Sequence, residues 1–339
     1  MQRLLLHQPG HLTLESVDEP GPPGPGEVLL RIRRIGICGT DYHAYRGRQP
    51  FFSYPRVLGH ELGAEVVALG SVVLGLQPGD RVAVEPYLNC GTCQACQSGK
   101  SNCCENLRVL GVHTDGGMVE YLRVPAQKVH RSNDLSFDQL ALVETLGIGA
   151  HAVSRAQVAS SDVVLVIGAG PIGLSVIQFA KLRSATVAVL DLSESRLQFC
   201  QNLGVDLTLQ PAGEQTELRL CEALQGQRPT AVFDATGSAT SMHEAFRYPA
   251  HGGRLTFVGL FQGEVTFHDP DFHRRELTLL ASRNALPTDF QAIIRLMEAG
   301  TLDTTPWITH RAPFADVPLA IEHWLTPGNQ PIKAVVEVG

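Results

Sequence analysis

The stretch VVLVIGAGPIG, residues 163–173, constrains the fold more than any other part of the sequence. Its apolar start predicts a buried strand, and Gly168, Gly170 and Gly173 then follow in the G-x-G-x-x-G spacing. The next apolar run ends in Asp191, close to the position about 20 residues downstream where an acidic residue is expected. An ordinary glycine turn is the alternative, but the strand–turn–helix–strand context favours a dinucleotide site at a helix N-terminus.

The carboxylate of Asp191 is expected to accept hydrogen bonds from the adenosine ribose hydroxyls and to repel a 2′-phosphate. NAD is therefore the predicted cofactor, rather than NADP. From about residue 160 onwards, apolar strands alternate with helical stretches such as PIGLSVIQFAKLR and SESRLQFCQNLG. This order is typical of βαβ units that build a parallel sheet.

The first 150 residues have a different pattern, with short β-branched runs that glycine and proline interrupt. Such runs predict a loop-rich β domain. The chain of 339 residues is long enough for two domains. We place the boundaries at residues 1–150, 151–284 and 285–339, with a cysteine-rich lobe at residues 89–105.

Composition excludes several classes of partner. The net charge is −7, without a lysine- or arginine-rich block, which argues against nucleic acid. The N-terminal leucine run is too short for a signal peptide. The glycine- and proline-rich centre of residues 163–180 argues against a membrane span. We expect a cytoplasmic protein, in a compartment where stable disulfides are rare.

Five of the eight cysteines lie between residues 89 and 104. Cys90, Cys93, Cys96 and Cys104 follow the pattern C-x2-C-x2-C-x7-C, which suits four thiolates around one zinc ion. A closed shell of four thiolates leaves no position for a substrate, so such a site is normally structural. An iron–sulfur cluster and disulfides are the alternatives. Cys103 is interpreted as a spare thiol.

A second set of possible ligands is scattered along the first domain and comprises one cysteine, one or two histidines, a hydroxyl and two carboxylates. A site with one cysteine, one histidine and one carboxylate keeps a fourth position open, as catalytic zinc requires. Each residue also has a structural explanation, for example a buried thiol, a core histidine or a helix-start carboxylate. The set consists of Cys38, Thr40, His43, His60, Glu61 and Glu144.

In combination, these motifs resemble the zinc-dependent medium-chain alcohol dehydrogenase family. The segments GHELGAEVVALG, the four-cysteine lobe, GAGPIG and DATG occur in the family's order and extend over essentially the whole chain. The resemblance implies an α/β protein with a GroES-like β-rich catalytic domain and a Rossmann domain whose parallel sheet is doubly wound. It also implies an active site in the cleft between the domains, and two zinc ions per chain.

The resemblance further implies roles for individual residues. Cys38, His60 and Glu144 resemble the catalytic zinc ligands of the sorbitol-dehydrogenase-like branch, and Glu61 resembles a carboxylate that binds the zinc directly or supports it. Thr40 and His43 resemble a relay that carries the alcohol proton to solvent through the cofactor ribose. The implied NAD-binding residues are Gly168, Gly170, Pro171, Ile172, Gly173, Asp191, Arg196, Thr236, Val258 and Gly259.

Three longer stretches, including SGKSNCCENLRVLGVHTDGG, are similar to bacterial L-galactonate and L-gulonate 5-dehydrogenases. This similarity implies oxidation of a secondary hydroxyl of a hexonate to a keto acid. An anionic substrate requires cationic or donor-rich groups, and the candidates are His113, Arg283 and Asn284. Arg283 could equally anchor the cofactor or a neighbouring loop.

Other functions stay open at this point. The substrate could be a neutral polyol or L-threonine, or the protein could be a non-catalytic, nucleotide-binding sensor. The complete set of zinc ligands disfavours the sensor, because a protein without catalysis has no need of an open metal site. The family resemblance also implies a homodimer or homotetramer, for which the strand-like segment ELTLLAS of the Rossmann domain is the candidate contact.

Overall fold

The chain forms two units, and one of them is assembled from two separate segments. The computed structural model describes residues 1–50 and 52–339. Unit 1 comprises Met1–Glu144 and Ala285–Gly339, and unit 2 comprises Thr145–Asn284. The boundary predicted at residue 150 lies within a helix that begins at Val143, whereas the boundary predicted at residue 284 coincides with the end of unit 2.

The strands are numbered in chain order. They are β1 (Gln2–Gln8), β2 (His11–Ser16), β3 (Glu27–Ile37), β4 (Arg56–Val57), β5 (Glu61–Leu69), β6 (Arg81–Val84), β7 (Tyr87–Leu88), β8 (Arg108–Val109), β9 (Tyr121–Pro125), β10 (Val129–Arg131), β11 (Val163–Ile167), β12 (Thr186–Leu190), β13 (Leu207–Leu209), β14 (Ala231–Asp234), β15 (Arg254–Phe257), β16 (Thr278–Ala281), β17 (Ile308–Pro313) and β18 (Lys333–Glu337).

The α-helices are numbered in the same way. They are α1 (Gly39–Tyr45), α2 (Gln94–Gln97), α3 (Phe137–Ala141), α4 (Val143–Arg155), α5 (Pro171–Leu182), α6 (Glu194–Asn202), α7 (Thr216–Ala223), α8 (Ala239–Glu244), α9 (Asp269–Arg274), α10 (Pro287–Glu298) and α11 (Val317–Trp324). Short 3₁₀ turns connect several of them. In the described part of the chain, no helix is long and apolar enough to cross a membrane.

Unit 1 is built around a seven-stranded sheet in the order β10-β6-β5-β3-β18-β17, with β9 also paired to β3. The pairing of β18 with β3 joins the C-terminal segment to the N-terminal one. Alternating apolar residues of the strands, such as Leu30, Ile32 and Leu62, fill the core beneath this sheet. A smaller sheet, β2-β1-β4, and a two-stranded ribbon, β7-β8, complete the unit's strand pairing.

Unit 2 contains a six-stranded parallel sheet in the order β13-β12-β11-β14-β15-β16. Counted within the unit, this is the order 3-2-1-4-5-6 of a doubly wound dinucleotide-binding fold. The central strand β11 is buried along its whole length, as the run VVLVI predicts for a strand between two layers of helices. The predicted parallel sheet is therefore confirmed.

Candidate active site

Two neighbouring strands bring three of the predicted metal ligands of unit 1 together. In the antiparallel pair of β3 and β5, Gly36 lies opposite Glu61, and His60 directly precedes Glu61. Cys38 follows the end of β3 and forms the N-cap of α1. One ligand atom from each of Cys38, His60 and Glu61 lies within 4.8 Å of the other two.

This group of three has the chemistry of a metal site. Thiol, imidazole and carboxylate are the ligand types of catalytic zinc. His60 is 5% exposed, and its Nδ1 has no hydrogen-bond partner among the described residues. Buried polar atoms are normally paired, so an unpaired ring nitrogen beside a thiol and a carboxylate is consistent with a site that receives a cation. The residues therefore fit zinc.

Glu61 is held by a lysine that sequence reasoning missed. Nζ of Lys333, the first residue of β18, lies 2.6 Å from Oε1 and 2.5 Å from Oε2 of Glu61, and both side chains are 1% exposed. Nζ also donates to the carbonyl of Ile37 at 3.3 Å. Burial favours the neutral lysine, but the charges of Glu61 and Cys38 outweigh it and raise the pKa of Lys333.

Gly36 is required for the same arrangement. A Cβ atom at Gly36 would lie 2.0 Å from Oε2 of Glu61. Any side chain at this position would therefore displace the carboxylate from Lys333. The signal for Lys333 in the sequence is a single charged residue at the start of the apolar run KAVVEV, which alone does not identify its partner.

Asp41 is a further buried carboxylate close to His60. Its Oδ1 lies 3.9 Å from Nδ1 of His60, and its carboxylate accepts the amides of Cys38 at 2.9 Å and Gly59 at 3.4 Å. Burial disfavours the charged imidazole, yet the negative charges of Asp41 and Cys38 raise the pKa of His60 well above its usual value. The site thus attracts positive charge, which a bound metal ion would supply.

Glu144 lies in the first turn of α4 and is 5% exposed. It is not among the three residues whose ligand atoms lie within 4.8 Å of one another in the described chain. Its Oε1 instead accepts a short hydrogen bond from the hydroxyl of Tyr87. Burial raises the pKa of Glu144, and the nearby charge of His60 opposes that rise.

Thr40 and His43 both lie on α1, downstream of Cys38. Thr40 is half-buried in the first turn, and His43 is exposed. Partial burial and the positive charges of Arg48 and Arg46 lower the pKa of His43. A neutral imidazole at the surface can accept a proton and exchange it with water.

The four-cysteine lobe forms a second cluster. One sulfur from each of Cys90, Cys93, Cys96 and Cys104 lies within 4.8 Å of the others. Between residues 89 and 106 only Asn102 and Cys104 are buried, so the lobe has no apolar core of its own. Amide and hydroxyl hydrogen bonds from Thr92, followed by an amide bond from Cys93, lower the pKa of Cys90 to about 5. Cys103 is exposed and does not belong to the cluster.

In unit 2, the glycine-rich loop connects β11 to α5. Gly170 is the N-cap of α5 and Pro171 its first residue, followed by Ile172. Because glycine offers no side-chain cap, the first-turn amides of the helix are left for an anion. A Cβ atom at Gly173 would lie 1.7 Å from the carbonyl oxygen of Gly168, so only glycine fits there.

Asp191 follows β12 and is already engaged with this loop. Its Oδ2 accepts the amide of Ala169 at 2.6 Å, and its Oδ1 accepts the amide of Ser193 at 2.7 Å. The guanidinium of Arg196 approaches to 3.8 Å from the position of a Cβ atom on Gly170. A carboxylate and a cation thus flank the glycine-rich loop, and a carboxylate at this position can accept hydrogen bonds from the ribose hydroxyls of a dinucleotide.

The other predicted cofactor residues follow strands β14 and β15. Thr236, after β14, donates its hydroxyl to Oδ1 of Asp234 at 2.7 Å. The amides of Val258 and Gly259, after β15, each donate to the carbonyl of Asp234 at 2.9 Å. All three therefore lie at the carboxyl ends of strands, the edge of a parallel sheet where ligands bind.

The predicted substrate residues are divided between the units. His113 belongs to unit 1, where its Nδ1 accepts the amide of Val109 at 3.1 Å. Arg283 and Asn284 are the last two residues of unit 2, where Arg283 is exposed and Asn284 has a φ of 54°.

Comparison with known proteins identifies the family. Residues 24–134 match the alcohol dehydrogenase GroES-like domain, and residues 171–299 match the zinc-binding dehydrogenase family. The sequence is 43% identical to L-galactonate-5-dehydrogenase of Escherichia coli K12, over 99% of this chain and 98% of that protein.

The chain belongs to the zinc-dependent medium-chain alcohol dehydrogenase family.

Two further relatives place this dehydrogenase within the family. It is 36% identical to sorbitol dehydrogenase of Ovis aries, over 91% of this chain and 89% of the relative. Its fold is similar to that of the alcohol dehydrogenase RspB of Escherichia coli CFT073, solved with NADH, with a TM-score of 0.92 and 32% identity. That similarity covers 99% of both chains. The predicted family and its GroES-like and Rossmann folds are confirmed.

The buried ion pair of this dehydrogenase gives a test of stability. Replacing Lys333 with methionine is expected to lower the free energy of unfolding by about 3–5 kcal/mol, because the buried carboxylate of Glu61 would lose the ammonium group that pairs with it. Urea denaturation of the zinc-containing protein measures the change.

The exposed pair of Lys181 and Asp206 provides the control. Lys181→Met is expected to change the free energy of unfolding by at most about 1 kcal/mol. Equal effects of the two substitutions would contradict the role given to Lys333.

Proposed function

We propose that this dehydrogenase oxidises a secondary hydroxyl of a sugar acid, at C5 of L-galactonate or L-gulonate, to the keto acid with NAD. The full-length similarity to L-galactonate-5-dehydrogenase carries this proposal. The group of Cys38, His60 and Glu61 supports it, since a zinc site with an open position is what the oxidation of an alcohol requires.

Cys38, His60 and Glu144 would hold the catalytic zinc, with Glu61 as a ligand or as its immediate support. Zinc, when bound there, lowers the pKa of the substrate hydroxyl, so that it loses its proton near neutral pH. The ion pair with Lys333 fixes the carboxylate of Glu61, and the carboxylate of Asp41 places a negative charge close to His60. These partners keep the ligands in place without the cost of rearrangement during the reaction.

Thr40 and His43 would remove the hydroxyl proton. The hydroxyl of the half-buried Thr40 would accept this proton as it gives up its own, and the exposed His43, whose pKa is lowered, would take up the relayed proton and release it to water. NAD, when bound, supplies the nicotinamide carbon that accepts the hydride from the carbinol carbon. The alcohol thus loses one proton and one hydride, which gives ketone, NADH and a proton.

Asp191 would determine the preference for NAD. Replacing it with alanine is expected to reduce the ratio of kcat/KM for NAD to that for NADP, because the charge that repels a 2′-phosphate is lost. The KM for NAD should also rise, since the amides of Ala169 and Ser193 lose their acceptor. Steady-state kinetics with both cofactors measures the two effects.

Asp191→Asn is the matched variant, because it removes the charge but keeps a side-chain oxygen that can accept an amide. It is expected to relax the cofactor preference with a smaller rise in the KM for NAD. An unchanged preference in both variants would rule out Asp191 as the selective residue.

The four-cysteine lobe would hold a second, structural zinc ion. Four thiolates close the coordination shell, and the lobe has no apolar core that could stabilise it without metal. This site and the free thiol of Cys103 suit a reducing compartment, which is consistent with a cytoplasmic enzyme.

The enzyme is proposed to act as a homodimer or homotetramer. The edge strand of the unit 2 sheet, β16, has a half-exposed face on which Leu279 is 40% exposed. Exposed edge strands pair readily with another strand, and a second copy could extend the sheet there.

The carboxylate of the substrate would need a cationic partner, and Arg283, Asn284 and His113 are the proposed ones. A planar guanidinium binds a carboxylate through two parallel hydrogen bonds. The similarity to sorbitol dehydrogenase favours a second candidate substrate class, the neutral polyols, for which Arg283 would have no such role.

One experiment separates these functions. NAD reduction is measured with L-galactonate, L-gulonate, sorbitol and L-threonine, side by side, on zinc-replete protein. The proposal expects the highest kcat/KM with one of the two hexonates. A preference for sorbitol or threonine would replace the substrate class, and no turnover with any of the four would favour a nucleotide-binding sensor.

A further inference from the structure

The hydroxyl of Tyr87 contacts Glu144 and has no part in the proposed reaction. Tyr87 lies on β7, is 2% exposed, and donates to Oε1 of Glu144, which is 5% exposed. A hydrogen bond between a hydroxyl and a carboxylate in a buried site is strong, because little water competes with it.

One buried lysine binds side chains on both sides of Tyr87. Nζ of Lys128 lies 2.5 Å from Oε1 of Glu85 and donates to Oδ1 of Asn89 at 2.8 Å. Glu85 and Asn89 are the residues two before and two after Tyr87. Nε2 of His130 lies 3.1 Å from the second oxygen of Glu85 and further restrains this flank.

The ring of Tyr87 is also restrained. Phe290 of α10 lies edge-on to it, with ring centroids 6.3 Å apart and an angle of 80°. The same Phe290 stacks on His130 at 4.9 Å and 23°. The aromatic contacts therefore oppose any swing of the ring that would take the hydroxyl away from Glu144.

The segment that carries Tyr87 continues into the four-cysteine lobe. Nδ2 of Asn89 donates to Sγ of Cys96 at 3.6 Å, and Cys90 is the next residue. The β7-β8 ribbon closes the base of the lobe, with Tyr87 opposite Val109. The short strand β7 thus closes the base of the four-cysteine lobe and also carries the hydroxyl that donates to Glu144.

We propose that Tyr87 is a positioning residue, whose hydroxyl fixes the carboxylate of Glu144 beside Cys38, His60 and Glu61. This inference rests on the proposed function, because the role of Glu144 as a zinc ligand belongs to it. The strand anchored by Lys128 keeps the hydroxyl in place, so the carboxylate is oriented before any metal arrives. Such outer partners of metal ligands strongly affect metal affinity.

Tyr87→Phe removes only the hydroxyl, and it tests this role. We expect the affinity for the catalytic zinc to fall about 10–100-fold, with a similar fall in kcat/KM. Affinity is measured by titrating zinc-loaded protein with a chelator and following the zinc ion that Cys38→Ala protein lacks. This readout does not depend on knowing the substrate.

Tyr45→Phe is the matched control. The hydroxyl of Tyr45 also donates to a carboxylate, Oε1 of Glu322 at 3.0 Å, within the same unit. A purely structural role of Tyr87 would give both variants a similar loss of thermal stability and an unchanged zinc affinity, which would overturn the proposal.

A double-mutant cycle with Glu144→Gln tests whether Tyr87 acts through the carboxylate. If it does, the effects of Tyr87→Phe and Glu144→Gln on zinc affinity are not additive, whereas additive effects would contradict the inference. Failure of the proposed function has a different signature, because wild-type protein with both zinc ions bound would then reduce no NAD with either hexonate. The zinc-affinity comparison still decides the role of Tyr87 in that case.

Discussion

Replacing Thr40 with valine is expected to lower kcat by about 10²–10⁴-fold while NAD still binds. Valine has nearly the shape of threonine but cannot accept the hydroxyl proton of the substrate. Thr40 is half-buried in the first turn of α1, two residues after Cys38, where a lost hydroxyl leaves the ligands of the metal intact. Steady-state kinetics and NAD binding by fluorescence, on protein with verified zinc content, measure the two effects.

Thr40→Ser is the control for this prediction, because it keeps the hydroxyl and loses only the methyl group. It should retain most of the activity that Thr40→Val loses. Undiminished turnover in Thr40→Val would show that the proton leaves by another route, and a loss of zinc in this variant would show that Thr40 supports the metal site instead.

Replacing Cys104 with serine is expected to remove about one zinc ion per chain and to unfold the four-cysteine lobe. In zinc-finger peptides, which likewise fold around their metal, apparent zinc binding contributes about 10–16 kcal/mol, so the loss of one ligand is expected to be severe. Metal analysis and limited proteolysis between residues 89 and 106 measure the result. Treatment of the wild-type enzyme with a strong chelator should expose the same segment.

Cys103, the residue directly before Cys104, provides the control. It is exposed, whereas Cys104 is buried and its Sγ lies 3.5 Å from that of Cys90. Cys103→Ser should therefore keep the full zinc content and the protease resistance of the wild type. Equal loss of zinc in the two variants would mean that the lobe does not hold its metal with these four cysteines.

Local patterns in the sequence predicted the elements that short-range chemistry determines. The run VVLVIGAGPIG predicted a strand, a turn and a helix, and the structure has β11, the glycine-rich loop and α5 in this order. The spacing of Cys90, Cys93, Cys96 and Cys104 predicted a cluster, because the four cysteines are separated by only a few residues, and their sulfurs lie within 4.8 Å of one another. In both cases the residues that meet in space are also close in sequence.

Partners that are distant in sequence were not predictable in the same way. Lys333 meets Glu61 across 272 residues, and only the pairing of β18 with β3 and of β3 with β5 brings them together. Tyr87 meets Glu144 across 57 residues. Periodicity and spacing contain no information about such pairs, since strand order is a property of the whole sheet.

The first domain boundary differs slightly between the prediction and the structure. The sequence predicted this boundary at residue 150, near the point where the residue pattern changes. In the structure, α4 runs from Val143 to Arg155 and unit 1 ends at Glu144. The first two residues of this helix thus belong to unit 1, and the rest belong to unit 2. A change in composition cannot locate a boundary within a continuous helix.

The position of β18 also has a consequence for the order in which the chain is built. Because β18 lies beside β3 in the sheet of unit 1, a ribosome synthesises the whole of unit 2 between these two paired strands. The parallel sheet of unit 2 can therefore form first, before Lys333 has been synthesised and can pair with Glu61. Unit 1 is thus the first unit whose synthesis begins and the last to be completed.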